Sequence, residues 1–89
     1  MNIEFDPDKD AINLVKHGVS LGLVAKLDVL AHVVDHRYAE PRFRLYGLID
    51  GLAYCAAGTD RDGVVRVINL RRVHKKELRK YVSRTTGHF

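Results

Sequence analysis

The residues best suited to chemistry are arginines held on a strand. Arg66, Arg71 and Arg72 fall in Val64–Val73, a β-branched stretch with no proline, and Arg61 stands in the turn just before it. A planar guanidinium on a rigid support recognises phosphate through two parallel hydrogen bonds. Side chains alternate across the sheet, so Val65, Val67, Asn69 and Arg71 share one face, and Val64, Arg66, Ile68, Leu70 and Arg72 share the other. The chain adds Lys16-His17, Glu40 as a possible carboxylate, and a basic final segment with Lys75, Lys76 and Arg79. Metal chemistry has little to stand on. His32 and His36 lack a third ligand, and there is neither a Cys pair nor an H-E-x-x-H sequence. Phosphate-cradling glycine loops and serine nucleophile elbows are missing too. No cofactor is expected.

Metal-free cleavage of RNA needs only the parts present. A base takes the proton of a 2′-hydroxyl, cations stabilise charge developing on the phosphate, and an acid protonates the leaving oxygen. His17 suits proton transfer by residue type, and Glu40 is a weaker candidate base. Taken alone, His17 reads better as a helix-end residue stabilised by the helix dipole. Arg71 and Arg72 read equally well as a solvated strand end, and the basic helix as a solvated face.

Several elements must position these groups. Ile3-Glu4-Phe5 alternates as a short strand. Asp6-Pro7 opens a helix, with Asp6 as N-cap, Pro7 at the first position and Asp8 and Asp10 in the first turn. Ala11, Leu14, Val15 and Gly18 form its expected apolar stripe, and Gly18 its left-handed stop. A second helix, Leu21 to Leu27, has almost no polar side. Leu21, Leu23, Val24 and Leu27 are therefore either deeply buried or covered by a partner chain. Residues 31–35, 42–49, 52–59 and 64–73 read as strands; Asp50-Gly51 favours a primed hairpin turn, and Asp62-Gly63 turns the chain into the last strand. His74 to Ser83 forms a final helix with Leu78, Tyr81 and Val82 inward, and residues 84–89 a loose tail. The order β-α-α-β-β-β-β-α predicts a single α+β domain over 1–89, a twisted antiparallel sheet with its helices packed mainly on one face.

The totals agree with one small globular domain. Its 89 residues are 46% hydrophobic and 29% charged. The net charge of +4 is uneven: residues 1–40 carry four Lys and Arg against seven acids, a net of −3, and residues 41–89 carry eleven against four, a net of +7. The second half would attract a polyanion. One cysteine, Cys55, excludes an internal disulfide and sits in an apolar run as an inert thiol would. Neither a signal peptide nor an apolar run of membrane-spanning length is seen, so the cytoplasm is the default expectation.

Several blocks together are similar to the BrnT ribonuclease toxins of type II toxin–antitoxin systems. They are Phe5-Asp6-Pro7-x-Lys9, Asn13-x-x-Lys16-His17-Gly18-Val19-Ser20, Glu40-x-Arg42, and Arg66-Val67-Ile68-Asn69-Leu70-Arg71-Arg72 followed by Lys76-Glu77-x-x-x-Tyr81. The resemblance covers roughly residues 3–83. It implies a compact RelE-like fold and a metal-independent endoribonuclease that inhibits translation. It also implies a hetero-oligomer with a neutralising BrnA-type antitoxin, operator DNA being contacted only through that antitoxin. Carried onto this chain, it marks Lys16, His17, Glu40, Arg42, Arg61, Arg66, Arg71 and Arg72, of which His17, Glu40, Arg61, Arg66 and Arg71 are expected to be catalytic and Lys16, Arg42 and Arg72 to bind RNA. Lys75, Lys76 and Arg79 of the basic last helix are expected to bind RNA as well, and the apolar second helix to meet the antitoxin through Leu21, Leu23, Val24 and Leu27. Where the family pattern ends its last strand in I-S-A-R, this chain has Ile68-Asn69-Leu70-Arg71. The alternative is a non-catalytic, toxin-like interaction module that acts as co-repressor with a DNA-binding antitoxin.

Overall fold

A computed structural model describes residues 1–86. The elements are β1 (Ile3–Glu4), α1 (Pro7–His17), a 3-10 helix η1 (Leu21–Lys26), β2 (Asp28–Asp35), β3 (Arg42–Ile49), β4 (Leu52–Arg61), β5 (Val64–Arg72) and α2 (Lys75–Thr86). Their order follows the expected α+β succession, with two local changes. The second helix is 3-10, as suits a six-residue segment containing Gly22. The last helix runs through Thr86, so residues 84–86 belong to it, and the remainder of the expected tail, 87–89, lies outside the described residues.

The local signals act where the sequence puts them. Asp6 accepts a hydrogen bond from the Asp8 amide at 2.9 Å, and Gly18 closes α1 at φ 75° with its N–H on the Leu14 carbonyl. Asp50-Gly51 and Asp62-Gly63 both have positive φ at each residue, as two-residue primed hairpins require. Asp10 does more than favour the helix dipole. Its Oδ1 accepts from the Ser20 hydroxyl at 2.9 Å and the Leu21 amide at 2.7 Å, which ties α1 to the start of η1.

The sheet order is β1-β5-β4-β3-β2. Strands β2 to β5 form the expected antiparallel meander, but β1 joins β5 in parallel, so the sheet is mixed. The helices are also not confined to one face. Alternation along β3 and β4 sends Leu45, Ile49, Tyr54 and Ala56 into a core with η1, and Tyr46, Ala53 and Cys55 into a second core with Leu78, Tyr81 and Val82 of α2. The sheet is thus sandwiched between η1 on one face and α2 on the other.

Three further expectations change here. Leu21 and Val24 are fully buried and Leu27 nearly so, so these three are core and offer no surface to a partner in this conformation; Leu23 packs beside them half-buried. In α1 the expected stripe points outward. Ala11, Leu14 and Val15 are exposed, and the buried residue is Asn13. Finally, β5 does not alternate strictly. Gly58 faces Val67 while Ala57 faces Asn69, which leaves Ile68 as a bulge. Val67 and Leu70, three apart, therefore enter the same core.

Candidate functional site

The bulge decides which arginines meet. Before it, Val65 packs on the η1 side, so Arg66 faces the α2 side. After it, Leu70 is on the η1 side, so Arg71 also faces the α2 side. Cross-strand register extends the set, because paired residues share a face. Arg66 stands opposite Thr59, Thr59 opposite Arg42, and Arg71 opposite Cys55, which in turn faces Tyr46. Arg61 is two residues beyond Thr59, and Arg44 two before Tyr46. Arg42, Arg44, Arg61, Arg66 and Arg71 thus belong to one face of three adjacent strands. Helix α2 covers the part of this face around Ala31, Tyr46, Ala53 and Cys55; on the remainder Arg61 is exposed and Arg42, Arg44, Arg66 and Arg71 are half-buried.

Most of these guanidiniums are held by local partners. Arg61 Nε lies 3.2 Å from Glu40, Arg66 3.5 Å from Glu4, and Arg71 3.4 Å from Glu77. Arg42 stacks on the Tyr38 ring at 4.0 Å. Arg61 holds the Glu40 carboxyl below its ordinary range by hydrogen bonding to it. Partly exposed pairs of this kind contribute only ~0–1 kcal/mol each, so a competing anion can displace the carboxylates.

At the covered end lies a group that the sequence reading missed. Arg44 donates to the Tyr46 hydroxyl at 3.0 Å, and the Tyr46 and Tyr81 rings stack at 4.3 Å. Burial pushes the Tyr46 phenol up. Tyr81 moves the other way, because hydrogen bonds from Tyr46 and Arg44 favour its phenolate. Lys80 and Arg84 also sit 5.6 and 5.5 Å from the Tyr81 ring. Tyr81 reads in sequence as a core residue of α2, and Arg44 as one charge among many in β3. The signal that could have found them is cross-strand: β3–β4 pairing puts Arg44 and Tyr46 on the same face as Arg71.

His17 reaches this neighbourhood from the side. Its Nε2 lies 3.3 Å from Asn69 Nδ2, and Asn69 is two residues before Arg71 on β5. Asn69 in turn donates to Asn13 Oδ1 at 3.3 Å. Lys16 is exposed at the end of α1. Lys75, Lys76 and Arg79 are exposed on α2, where a cleft of about 1080 Å³ is lined by Arg71, Arg72, His74, Lys76, Glu77 and Lys80. Arg72 parts from the group: its guanidinium lies 5.4 Å from the ring of Tyr54, a residue of the η1-side core. Among the described residues, no cluster of three or more His, Cys, Asp or Glu could hold a metal ion, and no helix is long and apolar enough to cross a membrane.

Comparison with known proteins agrees with this architecture. Residues 5–77 match the family model described as ribonuclease toxin, BrnT, of type II toxin–antitoxin system. This chain belongs to the BrnT family. It is also similar to the 1.1 Å crystal structure of the Brucella abortus ribonuclease toxin BrnT, with a TM-score of 0.65 and 22% identity over 83% of this chain and 97% of that one. At that identity the likeness speaks for the fold. No curated protein matches the chain. As a BrnT-type toxin of a type II system, the chain has a protein antitoxin as its partner.

Proposed function

We propose that this BrnT-family chain is a metal-independent endoribonuclease that cuts RNA on the arginine-bearing face of its sheet and thereby inhibits translation. A BrnA-type antitoxin neutralises it. The observation that carries this reading is the meeting of Arg42, Arg44, Arg61, Arg66 and Arg71 on one partly open sheet face. Five fixed cations suit a phosphodiester backbone and the extra charge that develops on its phosphate in the transition state.

The reaction these groups support is internal transfer. A base removes the 2′-hydroxyl proton, the 2′-oxygen attacks the adjacent phosphorus, and the bond to the 5′-oxygen breaks as an acid protonates it. The products are a 2′,3′-cyclic phosphate and a 5′-hydroxyl, with no water or metal consumed. Arg66 and Arg71 clamp the phosphate, while Arg42, Lys75, Lys76 and Arg79 hold the flanking chain. Two side chains compete for the proton step. His17 stands beside Asn69, two residues before Arg71, at the β5 edge. Tyr81, with its phenol held below the ordinary range, stands over Arg44. They flank the arginines from opposite sides, Tyr81 at β3 and His17 at β5.

The test is cleavage of a labelled RNA in EDTA. The parent chain should cut, and Arg71→Ala should cut about 10²–10³-fold more slowly. Of His17→Gln and Tyr81→Phe, one should lose about 10²–10⁴-fold and the other little. Equal cutting by Arg71→Ala and parent would refute the site. Cutting abolished by EDTA would refute the metal-free chemistry.

A further inference from the structure

Helix α1 is amphipathic the wrong way round for a helix resting on its own core. At 100° per residue, Asp10, Asn13 and His17 fall on one side. That side faces the body of the protein, held by the bonds of Asp10 to Ser20 and Leu21, of Asn13 to β5, and of His17 to Asn69. The opposite side carries Ala11, Ile12 and Val15, with Leu14 on its flank, all exposed, Ile12 at 64%, Leu14 at 52% and Val15 at 90%; exposed Asp8 stands at the first-turn end of the same side. A polar face tied down by specific hydrogen bonds fixes the helix in this orientation. The apolar face is then left for something else to cover.

We propose that this outward face of α1 is where the antitoxin docks, through an amphipathic helix with an acidic rim. The inference rests on the toxin reading above, since a type II toxin requires a protein partner. The residues Leu21, Val24 and Leu27 cannot serve, being inside the monomer. The i, i+3 and i+4 spacing of Ala11, Leu14 and Val15 is that of a helix-on-helix seam. Lys9 and Lys16, one heptad apart, flank the Ile12 side of the stripe, and carboxylates on the partner helix would complement them. A second copy of this chain is the weaker occupant. The eleven-residue α1 spans about 16 Å, and its apolar exposure amounts to roughly two whole aliphatic side chains, short of the ~800 Å² per partner of a stable interface. An antitoxin chain that continues past the helix gathers the remaining area; a twofold pairing of α1 alone does not.

The experiment is calorimetric titration of the purified chain with the protein encoded by the adjoining reading frame. The parent is compared with the double variant Ile12→Glu/Val15→Glu and with Val34→Glu, which alters an exposed apolar residue on β2 at the far edge of the sheet. The α1 variant should bind at least about 30-fold more weakly, with Val34→Glu within about threefold of the parent, while circular dichroism and RNA cleavage match the parent in both. Val15→Ser replaces the double variant if the latter does not fold. Parent-like binding by the α1 variant overturns the proposal, as does loss confined to Val34→Glu. A concentration-dependent parent dimer that dissolves in the α1 variant assigns the face to self-association and overturns it too. If the parent itself does not bind, the toxin–antitoxin reading of the pair fails, a result separable from failure of the α1 seat alone.

Discussion

Replacing Asn13 by Ala should destabilise the protein by about 2–4 kcal/mol, although the residue belongs to a short surface helix. Asn13 is 3% exposed, and its amide is fully used. Nδ2 donates to the carbonyls of Val19 at 3.0 Å and Leu70 at 2.9 Å; Oδ1 accepts from the Leu70 amide at 3.2 Å and from Asn69 Nδ2 at 3.3 Å. It continues on the β5 edge what β1 begins at Val65 and Arg66, closing the ladder with a side chain where the strand has ended. Removal strands the N–H and C=O of Leu70, a residue with no solvent exposure. Each orphaned buried group costs ~1–3 kcal/mol, and two of them at the lower half of that range give the stated sum; the partly buried Val19 carbonyl can take water. A domain of this size has only ~5–13 kcal/mol in hand. At ~4–8 °C per kcal/mol, the melting temperature should fall by about 8–30 °C. Thermal and urea unfolding followed by circular dichroism measure this, with Val15→Ala as the exposed control on the same helix, expected within ~0.5 kcal/mol of the parent. Asn13→Asp should be no milder, since an acceptor would then face two carbonyls. If Asn13→Ala and Val15→Ala melt within 0.5 kcal/mol of one another, the side chain is not closing the β5 edge.

Arg72→Ala should cut RNA within about threefold of the parent while Arg71→Ala does not, because the Arg72 guanidinium lies over Tyr54; single-turnover cleavage with both variants checks it. Gly47→Ala should cost about 1–3 kcal/mol or more in urea unfolding, since a Cβ there runs into the Asp28 backbone of β2. Arg37 holds the Asp35 carboxyl at about 2, below its ordinary 3.8. The stability this adds is present above the ordinary carboxylate range and is lost as pH falls from about 4 toward 2; carbon-detected NMR titration should show the Asp35 midpoint return toward 3.8 in Arg37→Ala.

Where a feature depended on neighbours in the chain, the sequence was a sufficient guide. Asp6, Pro7 and Gly18 bound α1, and the two Asp-Gly pairs set both hairpins, because capping and primed turns are decided within four residues. The β3–β4–β5 meander followed from those turns. What depended on distant residues was misread. The stripe Ala11, Leu14, Val15 looks like a core face only if apolar residues must point inward, and nothing nearby in sequence reveals that Asn13 has the Leu70 backbone waiting for it. Leu21 and Val24 were ambiguous between core and interface for the same reason: the sheet face that receives them is supplied by residues 45–70. Tyr81 and Arg44 are separated by 37 positions, so their meeting needed the sheet register and the path of α2 together.

Ile68 explains why the arginines could not be sorted by alternation. Strict alternation over Val64–Val73 puts Arg66 and Arg71 on opposite faces, which splits the arginine set and leaves no single site. One extra residue in the strand reverses the parity beyond it, so that Leu70 joins Val67 in the core and Arg71 joins Arg66 on the face beneath α2. The same reversal sends Arg72 to Tyr54 and turns Asn69 toward His17. The strand beyond the bulge is then held in its new register by Asn13, which grips both backbone groups of Leu70. Site and scaffold are coupled through that residue: loosening Asn13 frees the segment carrying Asn69 and Arg71 before it touches Arg42, Arg44 or Arg61. On the proposed reaction, partial loss at this edge should therefore impair cleavage more than it impairs adhesion of RNA to the arginine face, because the residues lost first are those the proposal sets beside the phosphate.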